Sequence, residues 1–67
     1  MKIFAERIKE LREERKLTMS QLAKELGIRQ STISRWERGE RLPNLDAIIA
    51  LAKFFKVSTD YLCGLED

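Results

Sequence analysis

The sequence predicts an all-α domain of five short helices that occupies residues 1–67 as a single unit. Apolar residues recur every three or four positions, which is the spacing of one helical face, and no segment shows the two-residue alternation of a strand. N-capping residues and glycines divide the chain into pieces of helix length. One cysteine and no histidine allow neither an internal disulfide nor a Cys/His zinc site, so a packed core or an oligomer must stabilise the fold.

The first helix is predicted from Ile3 to Lys16, and Leu17 begins the connection that follows it. The prediction rests on a single stripe at helical spacing, which carries Phe4, Ile8, Leu11 and Arg15.

The second helix is predicted from Met19 to Leu26. Thr18 and Gln21 have the spacing of a capping box, in which each side chain accepts a hydrogen bond from the other residue's amide. Gly27 ends the helix, because glycine adopts a left-handed backbone without strain. One face of this helix is apolar and consists of Met19, Leu22, Ala23 and Leu26.

The third helix is predicted from Gln30 to Glu37 and is closed by Arg38 and Gly39. Arg29 would be its N-cap, which is a poor choice of residue, so a start at Ser31 is the alternative. A three-residue turn containing glycine therefore joins the second and third helices. This spacing is typical of a helix-turn-helix, although an αα-hairpin in any helical protein can share parts of it.

The fourth helix is predicted from Leu45 to Phe55, with Asn44 as N-cap, and the fifth from Thr59 to Cys63, with Ser58 as N-cap and Gly64 after it. The apolar arc expected on the fourth helix consists of Leu45, Ile48, Ile49, Leu51, Ala52 and Phe55.

The third helix has two chemically different sides. Ile33 and Trp36 lie on the apolar side, where we expect Trp36 to pack in the core. The opposite side carries no acidic residue and consists of Gln30, Ser31, Ser34, Arg35 and Arg38. Arginine pairs with guanine and glutamine with adenine in the major groove, so this composition favours base readout over an ordinary solvated face.

The charge distribution gives weaker support. The 13 Lys and Arg against 11 Asp and Glu leave a net charge of only +2. Residues 29–41 carry four arginines against two glutamates, whereas residues 57–67 carry three acids and no base. This polarity suits an electrostatic docking face, and a mixed solvated surface is the alternative.

Four features stand out together along the chain: LTMSQLAKELG at residues 17–27, ISRWERG at residues 33–39, Pro43, and VSTDYLCG at residues 57–64. In this order they resemble the phage repressor and Cro-like (Xre-type, Cro/C1-type) helix-turn-helix family. The resemblance covers essentially the whole chain. It implies a compact lambda-repressor-like fold and a transcriptional regulator, most simply a repressor, whose third helix lies in the major groove of DNA.

The resemblance also implies roles for individual residues. Those implied to face bases are Arg29, Gln30, Ser31 and Arg35, with Thr32 and Ser34 secondary. Those implied to hold phosphates are Thr18, Ser20, Arg38, Arg41 and Asn44. It further implies a salt bridge between Arg12 and Glu37 that orients the recognition helix.

Two positions depart from the family pattern. Met19 stands where the family usually has a glutamine that helps to hold a phosphate and a base, and we expect it to be a packing residue. Phe54 stands where a small residue is common, and it lies off the predicted core stripe. It either shields a local gap or contacts a second copy of the chain together with Leu42 and Tyr61.

The expected partner is double-stranded DNA. One recognition helix reads only a few base pairs, so we expect a homodimer on a pseudo-palindromic operator. An antitoxin-like or other protein-interaction module of the same fold, using Phe54 and Tyr61, is the alternative. The residue types offer no catalytic set, cofactor site or metal site, which predicts that the chain is not an enzyme. Charges close to the start and the lack of a long apolar run predict a cytoplasmic protein without a membrane segment.

Overall fold

The computed structural model describes residues 2–67, and these contain five α-helices and no strand. The helices are α1 (Lys2–Glu14), α2 (Met19–Leu26), α3 (Gln30–Glu37), α4 (Leu45–Phe55) and α5 (Thr59–Cys63). The all-α prediction is confirmed, and the bounds of α2 to α5 are those predicted. None of the helices in this part of the chain is long and apolar enough to cross a membrane.

Both ends of α1 differ from the prediction of Ile3 to Lys16, because the helix begins at Lys2 and ends at Glu14. Lys16 has a φ of 57°, in the left-handed region that usually favours glycine. Its amide donates to the carbonyl of Glu13, and the next amide, of Leu17, donates to that of Arg12. These two backbone hydrogen bonds end the helix after Glu14, although no glycine occupies the left-handed position.

Side-chain caps explain most of the other helix starts. The amide of Gln21 donates to Thr18 Oγ1 over 3.0 Å, and the amide of Thr18 donates to Gln21 Oε1 over 2.8 Å, which completes the predicted capping box. Asn44 caps α4 and Ser58 caps α5 in the same way. Arg29 makes no side-chain cap, yet α3 still begins at Gln30.

Each of the five helices contributes to one core. α3 packs on α1 and α2, and α5 packs on α1 and α4. The ring of Trp36 meets the ring of Phe4 edge to face, with centroids 6.1 Å apart. Trp36 is therefore a core residue, as predicted. The largest fully buried side chains are Phe4, Ile8, Leu22, Ile33, Leu51 and Leu62.

Two residues of the predicted α4 arc are not part of the core. Leu45 is 72% exposed and Ile49 is 39% exposed, whereas Leu51 and Phe55 are buried. At 100° per residue, Leu45 and Ile49 lie together at one edge of the arc, whereas the residues toward its other edge face the core. The arc prediction was thus wrong for Leu45 and Ile49, whereas Ile48 packs against the core as expected.

Phe54 does not protrude from the surface as its position off the predicted stripe suggested. It is half-buried, its ring lies 5.0 Å from that of Phe55, and the Arg15 guanidinium lies 5.5 Å from its centroid. Tyr61 is also half-buried, with the Arg7 guanidinium 4.2 Å from its ring centroid. Both aromatic side chains pack partly against the core cluster.

Candidate nucleic-acid interface

A partly buried ion pair anchors the C-terminal end of α3. Arg12 donates from Nε to Glu37 Oε2 over 2.7 Å and from Nη2 to Oε1 over 3.1 Å. Its Nη1 donates to the carbonyl of Leu17 over 2.7 Å, so the same guanidinium also holds the α1–α2 connection. The hydrogen bonds to Glu37 raise the pKa of Arg12 above its ordinary value, against the opposing effect of burial. The salt bridge implied by the resemblance is present.

The polar side of α3 is open to solvent, as the sequence predicted. Gln30, Ser31 and Arg35 are exposed, and so are Arg29 before the helix and Arg38 after it. Thr32 and Ser34 are half-buried, in keeping with their secondary place in the predicted set. The same helix turns Ile33 and Trp36 fully inward. Core packing therefore fixes the direction in which the polar side faces.

The N-terminus of α2 presents backbone donors next to this surface. Thr18 and Gln21 satisfy each other's amides through the capping box, which leaves the Thr18 hydroxyl hydrogen available as a donor. The amides of Met19 and Ser20 have no intrahelical acceptor, as is normal for the first turn of a helix. Such a turn suits an anion. The side chain of Met19 is half-buried against the core, which confirms its packing role.

A hydrogen bond joins the two helices at their exposed ends. The hydroxyl of Ser20 in α2 donates to Oε1 of Gln30, the first residue of α3, over 2.9 Å. Sequence reasoning placed both residues at the DNA surface but did not pair them, because the contact depends on how the helices cross.

A groove lies between α3 and the N-terminal half of α4. The groove has a volume of about 560 Å³, and its lining includes Arg35, Arg41, Asn44 and Asp46. Arg38 lies outside the groove and forms an ion pair with Glu40, 3.0 Å between Nε and Oε2. That pair is more than half exposed, so it leaves Arg38 free to exchange its partner for a phosphate at little cost.

The residues predicted to contact a second copy lie in different surroundings. Leu42 is 56% exposed on the loop before α4, whereas Phe54 and Tyr61 are partly covered by Arg15 and Arg7.

The sequence did not predict the exposure of Leu45 and Ile49, which are four residues apart on α4. Their exposure adds apolar surface to the N-terminal half of that helix.

Comparison with known sequences places these features in a family. The sequence profile described as Helix-turn-helix matches residues 8–62, a span that includes all of α2, α3 and α4. The chain belongs to this helix-turn-helix family. The resemblance found in the sequence is thereby confirmed, and α2, the turn at Gly27 and α3 form the helix-turn-helix of this domain.

Three relatives illustrate the range of the helix-turn-helix proteins that match. The uncharacterized HTH-type transcriptional regulator YobD of Bacillus subtilis (strain 168) is 40% identical over 97% of this chain and 58% of its own length. The HTH-type transcriptional activator BcrR of Enterococcus faecalis is 38% identical over 96% of this chain and 31% of its own length. Repressor protein C2 of Salmonella phage P22 is 38% identical over 90% of this chain and 28% of its own length. The chain thus spans between about a quarter and three fifths of these relatives.

Proposed function

We propose that this helix-turn-helix domain binds double-stranded DNA in a sequence-specific manner and regulates transcription, with α3 in the major groove. The observation that carries the proposal is the solvent-exposed, acid-free side of α3, on a helix whose other side is locked into the core. A helix held in this way can enter the groove without rearranging, and its side chains are those that pair with base edges. The names of the relatives, which are transcriptional regulators, agree with this function.

In this proposal the bases are read by one group of side chains. Arg35 projects from the last turn of α3 and donates two hydrogen bonds to a guanine, while Gln30 pairs with an adenine. Ser31 and Arg29 contact bases near the start of the helix, and the half-buried Thr32 and Ser34 contribute less.

A second group holds the DNA backbone on both sides of α3. On one side, a phosphate accepts hydrogen bonds from the Thr18 hydroxyl and from the free amides at the start of α2. On the other side, Arg38 and Arg41 pair with phosphates. The Oδ1 of Asn44 already caps α4, so its Nδ2 is the donor that remains. Phosphate contacts fix the position of the domain and are independent of sequence.

We infer that the domain acts as a homodimer on a pseudo-palindromic operator. One α3 spans only a few base pairs, and two copies on half-sites about 34 Å apart would read enough sequence to select a site. The exposed apolar side chains of Leu42, Leu45 and Ile49 offer a surface for this contact. Phe54 and Tyr61 contribute less, because they already pack against their own chain. Occlusion of a promoter by the bound dimer is the simplest mechanism, and it makes the protein a repressor.

Selection of bound duplexes from a random pool tests the function. We expect an enriched inverted repeat whose half-sites contain a guanine that depends on Arg35. Repeating the selection with the variant Arg35→Ala should lose the preference at that guanine and keep the others. A pool that shows no enrichment over several rounds, with folded protein at low salt, would contradict sequence-specific binding.

A further inference from the structure

The hydrogen bond between Ser20 and Gln30 occupies the donor that a phosphate contact would need. A serine hydroxyl has a single hydrogen, and Ser20 directs it to Gln30 Oε1. Phosphate oxygens only accept hydrogen bonds. The Ser20 side chain therefore cannot serve Gln30 and a phosphate at the same time, whereas the Thr18 hydroxyl keeps its hydrogen because it acts in the capping box only as an acceptor.

The bond also determines which way the Gln30 amide faces. Its oxygen Oε1 accepts from Ser20 on the side of α2, which leaves the hydrogens on its Nε2 for another acceptor. The amide oxygen has two lone pairs, so one is still available after it accepts from Ser20. An amide held in this way can donate from Nε2 to adenine N7 and accept at Oε1 from adenine N6, which is the bidentate pairing of glutamine with adenine.

Because Ser20 holds the Gln30 amide before DNA binds, the side chain of Gln30 loses less conformational entropy on binding. A free glutamine side chain rotates about three bonds and can present either its oxygen or its nitrogen to a base. The correct orientation is favoured when a neighbour binds the oxygen in advance. Met19 precedes Ser20 but packs against the core, so Ser20 is the α2 side chain that performs this task.

We propose that Ser20 is a positioning residue that determines specificity by fixing the amide of Gln30 for an adenine. The inference rests on the proposed function and adds a residue to it, since Ser20 itself contacts neither base nor phosphate through its side chain. It replaces the phosphate role that the family resemblance implied for this hydroxyl.

The test uses the operator obtained by selection and a panel of duplexes in which one base pair is varied. The base pair read by Gln30 is the one at which Gln30→Ala loses discrimination. Dissociation constants are then measured for the wild type, Ser20→Ala, Ser20→Thr and the double variant Ser20→Ala/Gln30→Ala, each on the operator, the varied duplexes and a random duplex. Thr59→Ala, which removes an exposed hydroxyl from α5, is the matched control.

We expect Ser20→Ala to lower the preference for adenine at that one base pair by about fivefold, a fraction of a good bidentate contact. Its affinity for the random duplex should stay within about twofold of the wild type, because no phosphate contact is lost. Ser20→Thr should restore the preference, since threonine also carries a hydroxyl. In the Gln30→Ala background, removal of Ser20 should have no further effect on that base pair.

Two results would overturn the proposal. An equal loss on every duplex, also in the Gln30→Ala background, would identify Ser20 as a phosphate contact. An unchanged preference in Ser20→Ala would make its bond to Gln30 irrelevant to recognition. Either result leaves the proposed function standing, whereas wild-type protein that discriminates at no base pair would contradict the function itself. Alanine is a good helix former, so Ser20→Ala should fold like the wild type.

Discussion

The two sides of α3 differ in residue type and in burial, although they belong to the same helix. The inner side carries Ile33 and Trp36, which are buried among residues of the other helices. The outer side carries Arg35 and Ser31, which face solvent and make no contact that the core requires. The comparison teaches that stability and recognition can be altered separately in this domain. Adjacent residues of one helix should therefore respond to substitution in opposite ways.

The largest effect is expected at Trp36. Trp36→Ala removes a 3% exposed indole and its contact with Phe4, which should cost about 3–5 kcal/mol of unfolding free energy. A domain of this size has a total of roughly 3–10 kcal/mol, so much of the protein would unfold. Denaturant titration followed by circular dichroism measures the loss. Arg35→Ala, one residue earlier, is the control and should stay within about 0.5 kcal/mol of the wild type. Equal losses in the two variants would contradict the division of α3 into two sides.

A smaller loss of stability is expected at Glu37. Glu37→Ala leaves the Arg12 guanidinium partly buried without its carboxylate, which should destabilise the domain by about 1–3 kcal/mol. The same measurement on Glu40→Ala provides the comparison, because Glu40 belongs to an ion pair that is 55–58% exposed and should contribute less than about 0.5 kcal/mol. A Glu37→Ala variant as stable as Glu40→Ala would show that the Arg12–Glu37 pair does not anchor α3.

Much of this arrangement could be predicted from the sequence, because helix starts depend on local chemistry. The capping residues Thr18, Asn44 and Ser58 marked three starts correctly. The end of α1 was missed because the left-handed residue there is Lys16, and lysine carries no signal for that conformation. Lys56 also ends α4 with a φ of 57°, although there the predicted end at Phe55 was correct.

The features that the sequence could not predict depend on packing between helices. Apolar spacing shows the direction in which Leu45 and Ile49 face, but it does not show how far the neighbouring helices extend to cover them. The Ser20–Gln30 bond joins side chains ten positions apart whose distance is set by the crossing of α2 and α3. The polar side of α3 was correctly expected to be exposed, whereas its roles toward DNA stay predictions.

On the outer side, Arg35→Ala should weaken binding to the selected operator without unfolding the protein. Loss of a bidentate contact to guanine should cost about 1–3 kcal/mol and relax the preference at that base pair alone. Fluorescence anisotropy with the operator and with duplexes varied at each position measures both effects. A uniform loss across all duplexes would place Arg35 on the DNA backbone instead.

The smallest effect is expected at Arg41. Arg41→Ala should weaken binding to operator and random duplexes alike, because a phosphate contact does not depend on sequence. The slope of log K against log salt concentration should fall by about 1, as one fewer counterion is released. Titrations at four or more salt concentrations give the slope. A change confined to one base pair would show that Arg41 reads sequence.

Major-groove readout by α3 is tested most directly by replacing single atoms of the operator. Substituting 7-deazaguanine at the Arg35-dependent guanine removes N7 in the major groove, while inosine at the same place removes the amino group in the minor groove. We expect 7-deazaguanine to weaken wild-type binding by about tenfold and to have no further effect on Arg35→Ala. Inosine should have little effect on the binding of either protein. Binding that responds to inosine and ignores 7-deazaguanine would contradict the placement of α3 in the major groove.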